Sequence, residues 1–137
     1  MKNRRQFLTE SSALGAASFL APSLYAGTAA AASEIEVGVL FSLSGGLAMI
    51  EKSLADATVM AMEEINAAGG VNGMMIKPIL EDGASDPKTY NEKASKLVIR
   101  DRVPTVFGSY TSASRKAVLP VFEKRNNMYF YPTYYEG

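Results

Sequence analysis

Glu36-Val37-Gly38-Val39-Leu40-Phe41 is a nearly unbroken apolar run of strand length, which predicts a β-strand buried on both faces. The period then changes. After the turn-like Ser42-Leu43-Ser44-Gly45-Gly46, a long helical stretch runs to about Ala68. Leu54, Ala57, Ala61 and Ile65 recur there at spacings of three and four and predict one apolar stripe, while Glu51, Lys52, Asp56, Glu63 and Glu64 fall mostly elsewhere. Gly69-Gly70 predicts the helix stop and Val71-Asn72-Gly73 a tight turn. Ile76 to Leu80 reads as a second strand, and Pro78 assigns it to a sheet edge or a strand end.

Asp86-Pro87 has the form of an N-cap followed by proline at the first helical position. The helix it opens carries Tyr90, Ala94, Leu97 and Val98 on one face. Val103 to Phe107 predicts a third strand ended by Gly108, and Ser109 to Ser112 leads into a third helix over about Ala113 to Arg125. Pro120 predicts a kink or an early break in that helix. Met128 to Tyr131 reads as a fourth strand. Alternating buried-type strands and helical crossovers are the pattern of an α/β fold, an open parallel sheet with helices on both faces. Ligands of such sheets bind at the carboxyl ends of the strands, which directs attention to residues 42–46, 81–86, 108–112 and 132–137.

The segment before the first strand has a different character. Asn3-Arg4-Arg5-Gln6-Phe7-Leu8 precedes a weakly apolar stretch and an alanine-rich run, Ala30-Ala31-Ala32-Ser33. Paired arginines, a short apolar region and small residues suited to cleavage predict a signal peptide of the twin-arginine type over 1–32, read by the twin-arginine translocase or, as the alternative, by the general secretory translocase, with residues 33–137 as the exported part. Ala13 to Ala21 is about half the length that a bilayer span requires, and Pro22 interrupts it, which argues against an anchor. With no cysteine there is no thiol to acylate.

Charge and composition then narrow the chemistry. Without 1–32 the chain has 11 basic and 13 acidic residues, a balance that argues against a nucleic-acid partner. The absence of histidine and cysteine removes the commonest general base, the thiol nucleophile and the usual zinc ligands. Gly45-Gly46 lacks the rest of a phosphate-binding motif, and Ser85-Asp86-Pro87-Lys88 fits S-x-x-K only by letters, so these read as a turn and a helix cap. Glu81, Asp82 and Asp86 read as a solvated edge rather than a metal site. No cofactor and no metal are expected.

Ser109 to Ser112 is the stronger candidate. Its hydroxyls and tyrosine lie where a strand passes into a helix, and the N–H groups of the helix start would serve an oxygen acceptor such as a carbonyl or carboxylate. The spacing leaves open whether Thr111 or Ser112 binds a ligand or merely caps the helix. Arg115-Lys116 reads as a solvated face. Tyr110, Tyr129, Tyr131, Tyr134 and Tyr135 supply apolar walls with hydroxyl tips, or core packing.

Ala67-Ala68-Gly69-Gly70-Val71-Asn72-Gly73 after a long helix, preceded by the strand and Ser42-Leu43-Ser44-Gly45, resembles the amino-terminal lobe of the periplasmic receptors of branched-chain amino acid, amide and urea ABC transporters. The stretches Gly108 to Pro120 and Tyr131 to Gly137 are similar to the urea and short-chain amide branch, which includes an amide sensor that regulates an amidase. The resemblance implies a type I periplasmic-binding-protein lobe, incomplete at Gly137, with a second lobe and a hinge beyond it. It implies an exported, non-enzymatic receptor that binds urea or a short-chain amide, with a branched-chain amino acid as the other option, and delivers it to a membrane permease in the periplasm. Tyr110, Thr111, Ser112, Tyr131 and Thr133 are the ligand-binding residues it implies. A cytoplasmic amide-responsive regulator is the alternative, and Arg4-Arg5 speaks against it. An amidohydrolase would need a nucleophile that Ser112, with no histidine in the chain and no lysine at S-x-x-K spacing, does not offer.

Overall fold

The computed structural model describes residues 33–134, so the predicted signal peptide, Tyr135, Glu136 and Gly137 lie outside the described residues. Four strands and three α-helices alternate: β1 (Glu34–Phe41), α1 (Ala48–Ala67), β2 (Met75–Asp82), α2 (Pro87–Ser95), β3 (Thr105–Gly108), α3 (Ser112–Arg125) and β4 (Met128–Phe130). The strands form one sheet in the order β2-β1-β3-β4, parallel at every pairing. This is the predicted fold class, and Pro78 is on the edge strand, as its chemistry predicted.

Alternation along β1 divides the core in two. Val37, Val39 and Phe41 point to one face and pack with Ala55 and Met62 of α1. Leu40 points to the other face and packs with Tyr90, Ala94 and Leu97, with Val106 of β3, and with Val118 and Phe122 of α3. Right-handed crossovers explain the split, because the chain leaves β1 for β2 in one direction and passes β3 to β4 in the other, so α1 covers one face and α2 and α3 cover the opposite one. Fully buried side chains such as Leu40 and Leu97 contribute about 1.5–3 kcal/mol each.

Helix α1 departs from the predicted stripe. Its buried positions are Glu51, Ala55 and Met62, while Ala57, Ala61 and Ile65 are exposed. The run from Leu54 to Met62 is apolar on more than one side, so periodicity permits two stripes, and seating the helix on the sheet selects the one that contains Glu51. The amide of Asn66 fixes the far end by donating to the Ile76 carbonyl at 2.8 Å and accepting from its N–H at 2.7 Å, as a neighbouring strand would. Gly69 and Gly70 then take φ of +105° and +75°, and a Cβ on Gly70 would lie 2.1 Å from the Met74 carbonyl oxygen.

Helix α2 begins as predicted, with the Asp86 carboxylate accepting from the Thr89 N–H at 2.8 Å and Pro87 in the first turn. It widens into a π-helical turn over Lys96–Arg100, which the sequence pattern did not announce. Helix α3 runs through Pro120 to Arg125, correcting the expected break. The carbonyl of Lys116 that loses its partner at Pro120 belongs to an exposed residue, where water can replace the bond. Asn126 closes the helix in the left-handed conformation at φ +50°.

Candidate ligand-binding site

The sheet order places a topological switch between β1 and β3, whose chains leave the sheet in opposite directions at their carboxyl ends. Leu40 and Gly108 are register partners there, and the Ser109 N–H donates to the Leu40 carbonyl at 2.9 Å. A Cβ on Gly108 would sit 2.1 Å from that same carbonyl oxygen, so the close approach of the two strands requires glycine. Ser109, fully buried at φ +65°, then turns the chain into the start of α3.

Tyr110, Tyr131 and Thr133 meet at one atom. The Tyr131 hydroxyl donates to the Tyr110 carbonyl at 2.6 Å, and the Thr133 hydroxyl donates to it at 3.2 Å. The Tyr110 ring stands edge-on to Tyr134, with centroids 6.3 Å apart. Thr111 is the N-cap of α3, its hydroxyl accepting from the Ser114 N–H at 3.1 Å, so the capping alternative describes its side chain here. Ser112, half-buried, is the first residue of the helix. The structure thus brings the five predicted residues to one edge, where the protein itself engages the hydroxyls of Thr111, Tyr131 and Thr133 among others.

Two groups were missed. The Arg115 guanidinium lies 5.4 Å from the centroid of the Tyr131 ring, so this residue is part of the site rather than the solvated face expected of it, whereas Lys116 is exposed. Its place in the first turn of α3 was the available signal. Glu51, assigned to the polar side of α1, is fully buried and accepts from the Ser42 N–H at 2.6 Å and from the Tyr90 hydroxyl. Burial, reinforced by the hydrogen bond to Glu51, pushes the Tyr90 phenol far above its ordinary range. Tyr129, whose hydroxyl donates to the Gly108 carbonyl at 2.9 Å, is likewise raised, chiefly by burial and then by the neighbouring Tyr131.

A cavity of about 240 Å³ opens beside these groups, lined by Leu47, Ser85, Tyr90, Thr111 and Ser114 among others. Leu47 is the N-cap of α1, Pro87 on the cavity wall is the first residue of α2, and Thr111 is the N-cap of α3, so three positive helix ends converge. The wall from β1 to α2 is tied by Asp82, which accepts from the N–H of Leu43 at 2.8 Å and of Ala84 at 2.7 Å, and from the Ser44 hydroxyl at 2.6 Å. Glu81 is drawn away from this edge by Lys93 at 2.8 Å and by Lys96, and Asp86 caps α2. The three carboxylates therefore do separate structural work, and among the described residues no acidic cluster is arranged to hold a metal. The Ser85 hydroxyl, from the S-x-x-K look-alike, donates to the Ser44 carbonyl at 2.9 Å and accepts from the Leu47 N–H at 3.0 Å, as a loop brace.

Residues 35–137 match the model of the periplasmic binding protein domain. A Leu/Ile/Val-binding protein homolog 7 from Brucella abortus is 36% identical over 107 residues, 78% of this chain and 27% of that protein. A homolog 8 from Brucella suis is 36% identical over 118 residues, 85% of this chain and 28% of the relative. Among solved structures, the branched-chain amino acid transporter substrate-binding protein of Streptococcus pneumoniae, in complex with isoleucine, superposes with a TM-score of 0.73 at 28% identity. The match covers 77% of this chain and 30% of that one. An ABC transporter substrate-binding protein from Sphaerobacter thermophilus gives 0.64 at 27% identity, over 74% and 26% of the two chains. The chain spans about a quarter of the length of the relatives it matches. The parallel sheet, the loops gathered at its carboxyl edge and the family match over residues 35–137 together place the chain in the periplasmic binding protein family.

Proposed function

We propose that this chain carries the ligand-binding edge of an extracytoplasmic receptor that delivers a small polar solute to an ABC permease in the membrane. The observation that carries the reading is the meeting of Tyr110, Tyr131 and Thr133 beside the start of α3, at the β1/β3 switch point. The positive end of a helix suits an oxygen acceptor, and tyrosine rings beside it offer apolar walls with hydroxyl tips. Tyr110, Thr111, Ser112, Tyr131 and Thr133 are the proposed contacts, with Thr111 contributing through its backbone because its hydroxyl is held by the cap. The matched relatives are named as binding proteins, which favours a receptor over an enzyme and an importer component over a cytoplasmic regulator. Export through the twin-arginine translocase, directed by 1–32, places the receptor in the periplasm.

The proposed ligand is a branched-chain amino acid. Arg115 over Tyr131 and the start of α3, whose first turn carries no acidic residue, supply positive potential suited to a carboxylate. The relatives' names point the same way. Urea or a short-chain amide is the second reading, favoured by the Gly108 to Pro120 and Tyr131 to Gly137 sequences. Calorimetric titration with leucine, isoleucine, urea and acetamide, on the longest form of the chain that its gene encodes, tests both. Saturable leucine or isoleucine binding supports the first reading and amide binding alone supports the second. Failure of all four ligands overturns the receptor assignment for this solute class.

A further inference from the structure

Glu51 is a fully buried carboxylate in the first turn of α1, at the carboxyl edge of the sheet. The hydrogen bonds that reach it run in one direction. The Ser85 N–H donates to the Ser42 hydroxyl oxygen at 2.9 Å, and because the Tyr90 proton is given to Glu51, the Ser42 hydroxyl donates to the Tyr90 oxygen 3.1 Å away. Tyr90 in turn donates to Glu51 Oε2, which also receives the Ser42 N–H. Both bonds to Oε2 treat it as an acceptor, and a chain of aligned hydrogen bonds strengthens each member. Glu51 Oε1 is buried and takes no hydrogen bond from the described residues. None of the described ion pairs gives Glu51 a basic partner, and the nearby start of α1 supplies the favourable potential instead.

Tyr90 lines the cavity at the switch point, so the Glu51 charge lies one side chain behind the cavity wall. Arg115 stands over Tyr131, the residue that follows β4, across β3 from Glu51 at the end of β1. Two side chains of opposite charge type thus belong to the same carboxyl edge of the sheet, Glu51 behind Tyr90 of the cavity wall and Arg115 over the Tyr131 ring. We infer that Glu51 is a specificity-determining residue that does not touch the ligand: its buried charge favours solutes bearing an ammonium group over isosteres that lack one. The inference rests on the reading of this edge as a receptor site for small solutes. A buried charge acts through a low local dielectric, where its field is weakly screened, so one intervening ring does not abolish it.

The test compares leucine with 4-methylpentanoate, which has the same side chain and carboxylate but no ammonium. Glu51→Gln keeps the shape and an acceptor oxygen for Ser42 and Tyr90 but removes the charge. It should reduce the preference for leucine over 4-methylpentanoate by about tenfold, and Tyr90→Phe, which takes from the carboxylate one of the two donors that hold its charge, should reduce it in the same direction but by less. An unchanged preference in Glu51→Gln, or equal weakening of both ligands, overturns the inference while leaving the receptor reading intact. Wild-type protein that binds neither ligand overturns both. The carboxyl carbon resonance of Glu51 in the wild-type protein gives a measurement independent of the variant's folding. It should move on addition of leucine and not of 4-methylpentanoate, and an identical response to the two counts against the inference.

Discussion

Tyr131 donates its hydroxyl to the backbone carbonyl of Tyr110 at 2.6 Å, joining the segment after β4 to the segment after β3 at the edge where ligands of parallel sheets bind. Thr133 donates to the same oxygen at 3.2 Å. One carbonyl thus organises both halves of the proposed site, and a ligand that uses either hydroxyl must compete with it.

That sharing makes the pair non-additive. Tyr131→Phe alone should cost less than about 1 kcal/mol of stability, because Thr133 still serves the carbonyl, and Thr133→Val should behave alike. The double variant should lose more than the sum, since the half-buried carbonyl then has neither donor. Urea unfolding of the four proteins measures the coupling, and strict additivity would show that the two hydroxyls do not share an acceptor in solution.

Thr111 separates capping from binding. Thr111→Ala should destabilise the protein by about 1 kcal/mol, and Thr111→Ser should restore most of it, because either hydroxyl accepts the Ser114 N–H. If the threonine hydroxyl has no duty toward the ligand, both variants should bind with the wild-type Kd under conditions where they are folded. A tenfold loss of affinity in Thr111→Ala that Thr111→Ser repairs would reassign the hydroxyl to the ligand.

Gly108 tests the close approach of β1 and β3. A methyl group there would lie 2.1 Å from the Leu40 carbonyl oxygen, and backbone rather than a flexible side chain would have to yield. Gly108→Ala should lower stability by at least about 2 kcal/mol and weaken any binding at the switch point by moving Ser109 and Tyr110. A thermal midpoint equal to wild type would mean that the strands separate there at little cost.

Asp82 gives the acid limb a specific cause. Burial alone would raise its carboxyl pKa, but the hydrogen bonds from the Ser44 hydroxyl and the N–H groups of Ala84, Leu43 and Ser44 outweigh it and hold the value below the ordinary 3.8. A depressed carboxyl contributes stability that is complete above 3.8 and is lost as pH falls through the lower folded value. Urea midpoints followed downward from about pH 5 should therefore fall less steeply for Asp82→Asn than for wild type. Parallel curves would place the acid sensitivity elsewhere.

Much of this architecture is local in origin and was readable from residue order. The apolar run of β1, the cap and proline opening α2, the paired glycines after α1 and the proline on β2 each act through backbone conformation or hydrogen bonding within a few residues. Together they imply an alternating parallel sheet, and with it the edge at which Tyr110 to Ser112 and Tyr131 to Thr133 meet. The sequence also set the chemical limits, since a chain without histidine or cysteine carries neither group to any site. Tertiary structure decided what spacing left degenerate. Helix α1 had two apolar stripes to offer, and only packing against Val37, Val39 and Phe41 chose the one that buries Ala55 and Met62. That rotation brought Glu51 inward, and long-range contacts with Ser42 and Tyr90 made a buried charge acceptable there. Arg115 is similar: its charge is written in the sequence, but its place over Tyr131 exists only because β4 lies beside β3. Short-range rules fix periods and caps, whereas the side of a helix that faces inward depends on surfaces distant in the chain, and that is why these two charged residues escaped the sequence.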